Sequence, residues 1–256
     1  MKEKYHEEID QKLFNDIATK YFQKDINDVS SVARKFQLNS LINLYFNNSR
    51  KNKLGNILEL GCGVGASTRY LKDMYDNYIG IDYSEKFIQL AHEHFANQNN
   101  NFFCANIKDF QIENNDKIDF VFGVGVLHHV DNIKDVLKNI KQIGNNQTVY
   151  GFIEPQSSNP FIQFMRKIRM VVDKEYSSEQ AFFKKIFIKE MFNKNGYDII
   201  AIKYQGYFSS PFAQVILRPK FIFKPFMKIL IWADRMIQDN MNNLFSWNIM
   251  WLATKK

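Results

Sequence analysis

Apolar residues recur along this chain in two rhythms. Between residues 9–22 and 31–46 they return every three or four positions, which predicts two helices, Ile9–Phe22 and Ser31–Phe46, ahead of the polar stretch NNSRKNKLGN. From residue 56 onward, short apolar runs alternate with helical patterns. The runs predicted as strands are NILEL (56–60), YIGI (78–81), NFFCA (101–105), DFVFGV (119–124), TVYGFI (148–153) and YDIIAIKY (197–204). Between them, helices are predicted over Ala66–Asp76, Ser84–Phe95, Asn132–Ile143 and Ser177–Asn193. The last carries a capping-box pattern, Ser177 with Gln180, and Gly196 follows where a helix end favours a left-handed residue. Repeated strand–helix units predict an α/β fold, a doubly wound and mostly parallel sheet, whose ligands gather at the carboxyl ends of the strands.

Composition supports an ordered globular chain. Of its 256 residues, 45% are hydrophobic, 24% are charged and only 5 are proline, and the 24 phenylalanines predict an aromatic-rich core. Cys62 and Cys104 are the only cysteines and form no CxxC pair, which argues against a disulfide framework or a zinc site and for a reducing compartment. The opening MKEKYHEEIDQK has no signal-type apolar segment, and no uncharged apolar run approaches a membrane span, so a cytoplasmic location is expected. The charge is uneven. Residues 1–154 carry 18 Lys+Arg against 20 Asp+Glu, whereas residues 155–256 carry 16 against 7. The basic half suits either an anionic partner or a well-solvated surface.

The chemistry centres on ILELGCGVGAST (57–68), a strand that runs into a glycine-rich turn and then a helix. Gly61, Gly63 and Gly65 permit positive φ and close approach of a ligand to the backbone. Together with Ala66, and with Asp82 after the next strand, they also satisfy the dinucleotide-binding spacing. Glu59 separates the two readings. A carboxylate two residues before the first glycine repels a pyrophosphate but attracts a ligand that carries an ammonium and a sulfonium.

These segments resemble class I S-adenosylmethionine-dependent methyltransferases. ILELGCGVG looks like the family's first motif, IGIDYS its second, FFCANIKDF its third, IDFVFGVGVLHHV its fourth and TVYGFIEP its fifth. Upstream, FNDIATKY (14–21) is similar to the opening of methyltransferases of the quinone-biosynthesis type, and the terminal SWNIMWLATKK resembles the family's last, antiparallel strand. The resemblance implies a seven-stranded sheet with N-terminal helices over residues 1–50. The cofactor-binding domain would span 51–256, with a helical insertion, 206–245, before the last strand.

The implied cofactor is S-adenosylmethionine, leaving as S-adenosylhomocysteine. Glu59 and the backbone of Gly61 and Gly63 would face its methionine part, with Cys62 and Gly65 also in the cofactor site, and Asp82 would accept from the ribose hydroxyls. Tyr83 would pack on the adenosine, Asn106 and Ile107 would border the adenine, and Gly123 or Val124 would line the pocket. Asn106 stands where the family usually has an aspartate. For Gly65 and Ala66 the alternative is helix–sheet packing without ligand contact, and for Asp82 a capping role shared with Ser84.

Methyl transfer asks mainly for an acceptor held in line in a water-poor pocket, plus a base if the acceptor is a hydroxyl. His129, His128 and Glu154 are the candidates, His129 first, with loop support as the alternative role. No metal is expected, because Gly125 and His128 stand where metal-binding relatives have glutamates. His92 and His94 are expected on a solvated helix surface. Tyr21 is either a lid residue that folds over the cofactor or a core tyrosine.

The expected function is methyl transfer to an oxygen or nitrogen of a small acceptor, anionic or linked to a lipid, nucleotide or glycan. The alternatives are carbon methylation of a quinone-like lipid and, remotely, a nicotinamide-dependent oxidoreductase. Nucleic acid is disfavoured as a partner. The insertion mixes apolar residues with Arg218, Lys220, Lys224, Lys228 and Arg235, which suits a lid, a dimer contact or peripheral contact of 211–238 with the inner membrane face.

Overall fold

A computed structural model describes residues 2–112, 117–160, 163–164, 183–214, 218–237 and 245–256, with backbone alone for 2–7 and 213–214. Seven strands form one sheet in the order β3-β2-β1-β4-β5-β7-β6. They are β1 (Asn56–Leu60), β2 (Asn77–Asp82), β3 (Asn100–Cys104), β4 (Phe120–Val124), β5 (Val149–Pro155), β6 (Tyr197–Gln205) and β7 (Asn248–Lys255). β1 to β5 pair in parallel, and β7 runs antiparallel between β5 and β6. From β1 the chain winds outward through β2 to β3 and then returns to β4 on the other side. The carboxyl ends of β1 and β4 therefore flank the switch point, where such sheets bind ligands.

Alternation along β1 divides the core. Ile57 packs with Tyr78, Phe102, Phe120 and Phe122 beneath helices α2 (Ser30–Ser49) and α4 (Glu85–Phe95). Leu58 and Leu60 pack on the opposite face with Val121, Phe152 and Trp251 against helices α5 (Ile133–Ile143) and α6 (Lys185–Lys194). The phenylalanine-rich composition is realised as packed rings, Phe120 and Phe122 stacked at 5.4 Å and Phe152 and Trp251 tilted at 5.5 Å. By this alternation Glu59 shares the face of Ile57, the face over which helix α1 (Lys2–Ile26) and α2 lie.

The predicted helix Ala66–Asp76 is the clearest departure. The observed helix, α3, is only Ser67–Tyr70. Apolar periodicity continues through Tyr75, but the carbonyl of Met74 accepts from Leu54 N at 2.8 Å, Asp76 N donates to Gly55 O at 2.8 Å, and Asp73 takes φ +68°. These tertiary bonds to the chain entering β1 replace further helical turns. The Ser177–Gln180 capping pattern lies outside the described residues, and α6 begins at Lys185. Gly196 does adopt φ +79°. Within the insertion, a 3-10 turn over Ser210–Gln214 leads to helix α7 (Lys220–Ile237), which keeps Pro225 inside it.

Candidate active site

A cavity of about 130 Å³ opens at the switch point, between the glycine turn after β1 and the two N-terminal helices. Gly63, at φ +53°, lies on its wall, and a Cβ built there meets nothing within 4 Å. Gly65, at φ +76°, serves a different end: a Cβ there would lie 2.7 Å from the Phe102 ring, so this glycine lets the turn pack on the sheet. The packing alternative thus holds for Gly65.

Two buried carboxylates form the acidic wall. Asp82 Oδ2 accepts from Gly63 N at 2.9 Å and Oδ1 from Ser84 N at 2.9 Å, while Ser84 Oγ caps α4 by accepting from Phe87 N at 3.2 Å. Asp82 therefore both braces the turn and presents its carboxylate to the cavity, and burial raises its pKa to about 6. Glu59 accepts from Ser67 Oγ at 2.8 Å and from the hydroxyl of Tyr78. Both donors are neutral, and burial pushes its pKa up to about 8.

The opposite wall comes from α1 and α2. Phe14 sits at the centre of a ring cluster, 5.4 Å from His129, 5.7 Å from Phe87, 6.2 Å from Tyr83 and 6.4 Å from Tyr21. Polar contacts fix α1 across the strand ends: Gln11 Nε2 donates to Tyr83 O at 2.6 Å, and Ser84 Oγ donates to Asn15 Oδ1 at 2.7 Å. Arg34, on α2, pairs with Asp25 at 3.0 Å, donates to the Tyr21 hydroxyl at 3.2 Å and reaches the cavity wall. The Lys24 ammonium lies 3.2 Å over the Tyr21 ring, and burial lowers its pKa to about 8. Burial alone would raise the pKa of Tyr21, but Lys24 and Arg34 outweigh it and the net direction is downward.

The two histidines follow β4 on a 3-10 turn, Leu127–His129, and their rings lie 4.1 Å apart. They face different partners. His129 lines the cavity with Nδ1 3.0 Å from Asp10 Oδ2, and its pKa is lowered by burial and then by His128. A carboxylate only accepts, so Nδ1 carries the proton and Nε2 keeps its lone pair. His128 Nδ1 instead meets Glu154 Oε2 at 2.7 Å, and Glu154 Oε1 accepts from Val126 N at 2.9 Å and Leu127 N at 2.7 Å. Glu154 is fully buried, and burial raises its pKa to about 7.

Of the residues singled out in the sequence, Tyr21, Glu59, Gly61, Cys62, Gly63, Ala66, Asp82, Tyr83, Val124, Gly125 and His129 line this cavity. The others serve its frame. Glu154 and His128 pair with each other at the turn beneath it and are not among its lining residues. Ile107 is buried in the core against α5, and Asn106 turns its Oδ1 back onto Lys108 N at 3.0 Å. A Cβ on Gly123 would meet Val126 at 2.6 Å, so this glycine serves packing. The sequence reading passed over Phe14, Phe87, Ser67 and Tyr70 as wall residues, and Asp10 as the partner of His129. Asp10, Phe14, Tyr21 and Asp25 do fall on one helical face of α1, and that spacing was the available signal. His92 and His94 are exposed as expected, although His92 Nε2 meets Phe102 O at 3.0 Å and His94 stacks on Phe22 at 4.3 Å.

Known proteins share the fold and part of the sequence. Residues 58–147 match the family profile described as Methyltransferase domain. The malonyl-[acyl-carrier protein] O-methyltransferase of Bacillus anthracis is 27% identical over 132 residues, covering 51% of this chain and 46% of that protein. A mitochondrial ubiquinone biosynthesis O-methyltransferase of Dictyostelium discoideum is 29% identical over 100 residues, covering 34% and 31% respectively. The chain thus spans about half the length, or less, of these curated relatives. Among solved structures, the Synechocystis magnesium protoporphyrin IX methyltransferase with bound S-adenosylhomocysteine superposes with a TM-score of 0.63 at 14% identity, covering 98% of this chain and all of that one. The DhpI complex with S-adenosylhomocysteine gives 0.60 at 16%, covering 97% and 96%. The sheet order is that of the class I S-adenosylmethionine-dependent methyltransferase fold, and residues 58–147, which the glycine turn opens, match its methyltransferase domain.

Proposed function

We propose that the protein transfers the methyl group of S-adenosylmethionine to an oxygen of a small or carrier-linked acceptor, and that α1 and α2 act as the lid of the site. The observation that carries this reading is Glu59, a buried carboxylate on the cavity wall whose only side-chain partners among the described residues are two hydroxyls. A cationic ligand supplies what it lacks. The other walls fit the same cofactor: Gly63 leaves open space, Asp82 offers acceptor oxygens for a ribose, and Phe14 and Tyr83 offer ring faces for an adenine. Arg34, which pairs with Asp25 and Tyr21, borders the same cavity as Glu59, and the carboxylate of an amino acid ligand there would meet its guanidinium.

When bound, the cofactor supplies an activated methyl group; the chain's own residues orient the acceptor and keep water out. Phe14, Tyr21, Tyr83 and Phe87 make the apolar lining that dries the cleft. His129, with its Nδ1 proton held by Asp10, is the group able to take a hydroxyl proton at Nε2. An acceptor carboxylate would need no base, and His129 would then only orient it. Oxygen is favoured over nitrogen because both named curated relatives are O-methyltransferases. Carbon methylation of a quinone-like lipid remains the second reading, resting on the FNDIATKY segment.

Incubation with methyl-labelled S-adenosylmethionine and a panel of free acids, acyl-carrier-linked acids and phenols tests the proposal. Label in an ester or ether product supports it. Label only in a carbon-methylated ring would turn the assignment to the second reading, and no S-adenosylhomocysteine from any acceptor would count against both.

A further inference from the structure

Helix α7 carries two apolar faces, and only one is covered. Met227, Ile231 and Asp234 are buried, and Met227 packs with Ala33 of α2 and with Val29 just ahead of it. On the opposite face, at 100° per residue, stand Phe221, Ile222, Ile229, Trp232 and Met236, exposed by 78%, 52%, 62%, 64% and 60%. Lys224, Lys228 and Arg235 occupy the strip between these two faces, and all are exposed.

The orientation is fixed from inside. Asp234 accepts from Tyr207 N at 3.0 Å, Phe208 N at 2.7 Å and Ser209 N at 3.1 Å, and also from the Ser209 hydroxyl. A buried carboxylate gripping consecutive backbone N–H groups pins the helix to the end of β6, so the bare face cannot rotate inward without breaking all of these bonds. Nor does that face close the cleft. No described residue of the insertion lines the cavity, and α2 lies between α7 and it.

We propose that the bare face of α7 docks on an anionic lipid bilayer, lying in its interface with Phe221, Ile229, Trp232 and Met236 inserted and the lysines on the phosphates. Charge complementarity selects the occupant. An exposed stripe with Trp and Phe on its apolar side and Lys and Arg along its edge matches an interfacial helix, and residues 155–256 carry 16 Lys+Arg against 7 Asp+Glu. A second copy of the chain would bring the same positive edge to meet its own. No helix among the described residues is long and apolar enough to cross a membrane, so the contact is peripheral.

Docking is independent of methyl transfer and is read without cofactor or acceptor. The full chain is sedimented with phosphatidylglycerol-containing vesicles and with pure phosphatidylcholine vesicles, at low and high salt. Binding to the anionic vesicles, weakened by salt, is expected. Lys224→Ala and Lys228→Ala should each cost about fivefold in partitioning, and the double variant Ile229→Glu, Trp232→Glu should abolish binding with an unchanged melting temperature. Quenching of tryptophan emission by brominated lipid, lost in Trp232→Phe, reads insertion directly. Absence of binding to anionic vesicles, or binding indifferent to the Ile229→Glu, Trp232→Glu change, overturns the proposal. So does a concentration-dependent dimer abolished by that change without vesicle binding, which would assign the face to a second copy.

Discussion

His129 on the turn after β4 and Asp10 on α1 meet at 3.0 Å across 119 residues of sequence. This contact ties the N-terminal helix to the catalytic end of the sheet and at the same time fixes the tautomer of the one histidine among the candidate bases that faces the cavity. It also makes the proposed lid and the proposed base one unit. The cavity beside them is about 130 Å³, so a shift of α1 would change the room for a ligand and part this pair together.

If His129 accepts the acceptor's proton, His129→Ala lowers kcat by about 100-fold and leaves the cofactor Kd within a few-fold. Asp10→Asn should lower kcat less and shift the pH profile, because the imidazole loses its carboxylate partner. Equal losses of cofactor affinity and turnover in His129→Ala would reduce the histidine to support of the turn.

Asp82→Ala should weaken binding of S-adenosylhomocysteine by about 1.5–3 kcal/mol, the range for a hydrogen bond to a charged group. It should also lower the melting temperature, since the N–H groups of Gly63 and Ser84 lose their acceptor. A loss of stability with full affinity in the folded fraction would confine Asp82 to bracing the turn.

The glycines separate packing from binding. Gly65→Ala places a methyl against Phe102 at positive φ and should cost about 2–5 kcal/mol of stability, with little change in affinity once folded. Gly63→Ala meets no neighbour, so it should cost only about 1–2 kcal/mol for the left-handed backbone while obstructing the cofactor. Thermal melts with and without S-adenosylhomocysteine distinguish the two patterns.

The strand and turn chemistry was legible in the sequence because it is local. The six strands read from apolar runs fall within two residues of them, most sharply β1, β4 and β5, which are buried along nearly their whole length, and the spacing of Glu59, Gly61 to Gly65 and Asp82 is set by one strand–turn–helix–strand unit. What the sequence concealed is long-range. Helix α3 stops at Tyr70 because Met74 and Asp76 bond to Leu54 and Gly55. Phe14 enters the site only because α1 lies across strand ends that are remote from it in sequence. Asn106 resembled an adenine contact by position, yet its side chain closes its own turn.

Glu59 supplies the pH dependence. Its carboxyl is held at about 8 against an ordinary 4.5, so the unfolded chain ionises first and this group weakens the empty fold as pH rises between those values. A cationic cofactor requires the ionised form, so binding near neutral pH should release a proton, and affinity should rise with pH up to about 8 and then level. Calorimetry in two buffers of different ionisation enthalpy counts that proton, and Glu59→Gln should abolish it.

Calorimetric titration of the purified protein with S-adenosylmethionine and S-adenosylhomocysteine, with NADH and NADPH alongside, tests the central claim most directly. One-to-one binding of the sulfur ligands and none of the nicotinamides is the predicted result. Binding of a nicotinamide cofactor alone would contradict it, and with it every role assigned to the cleft.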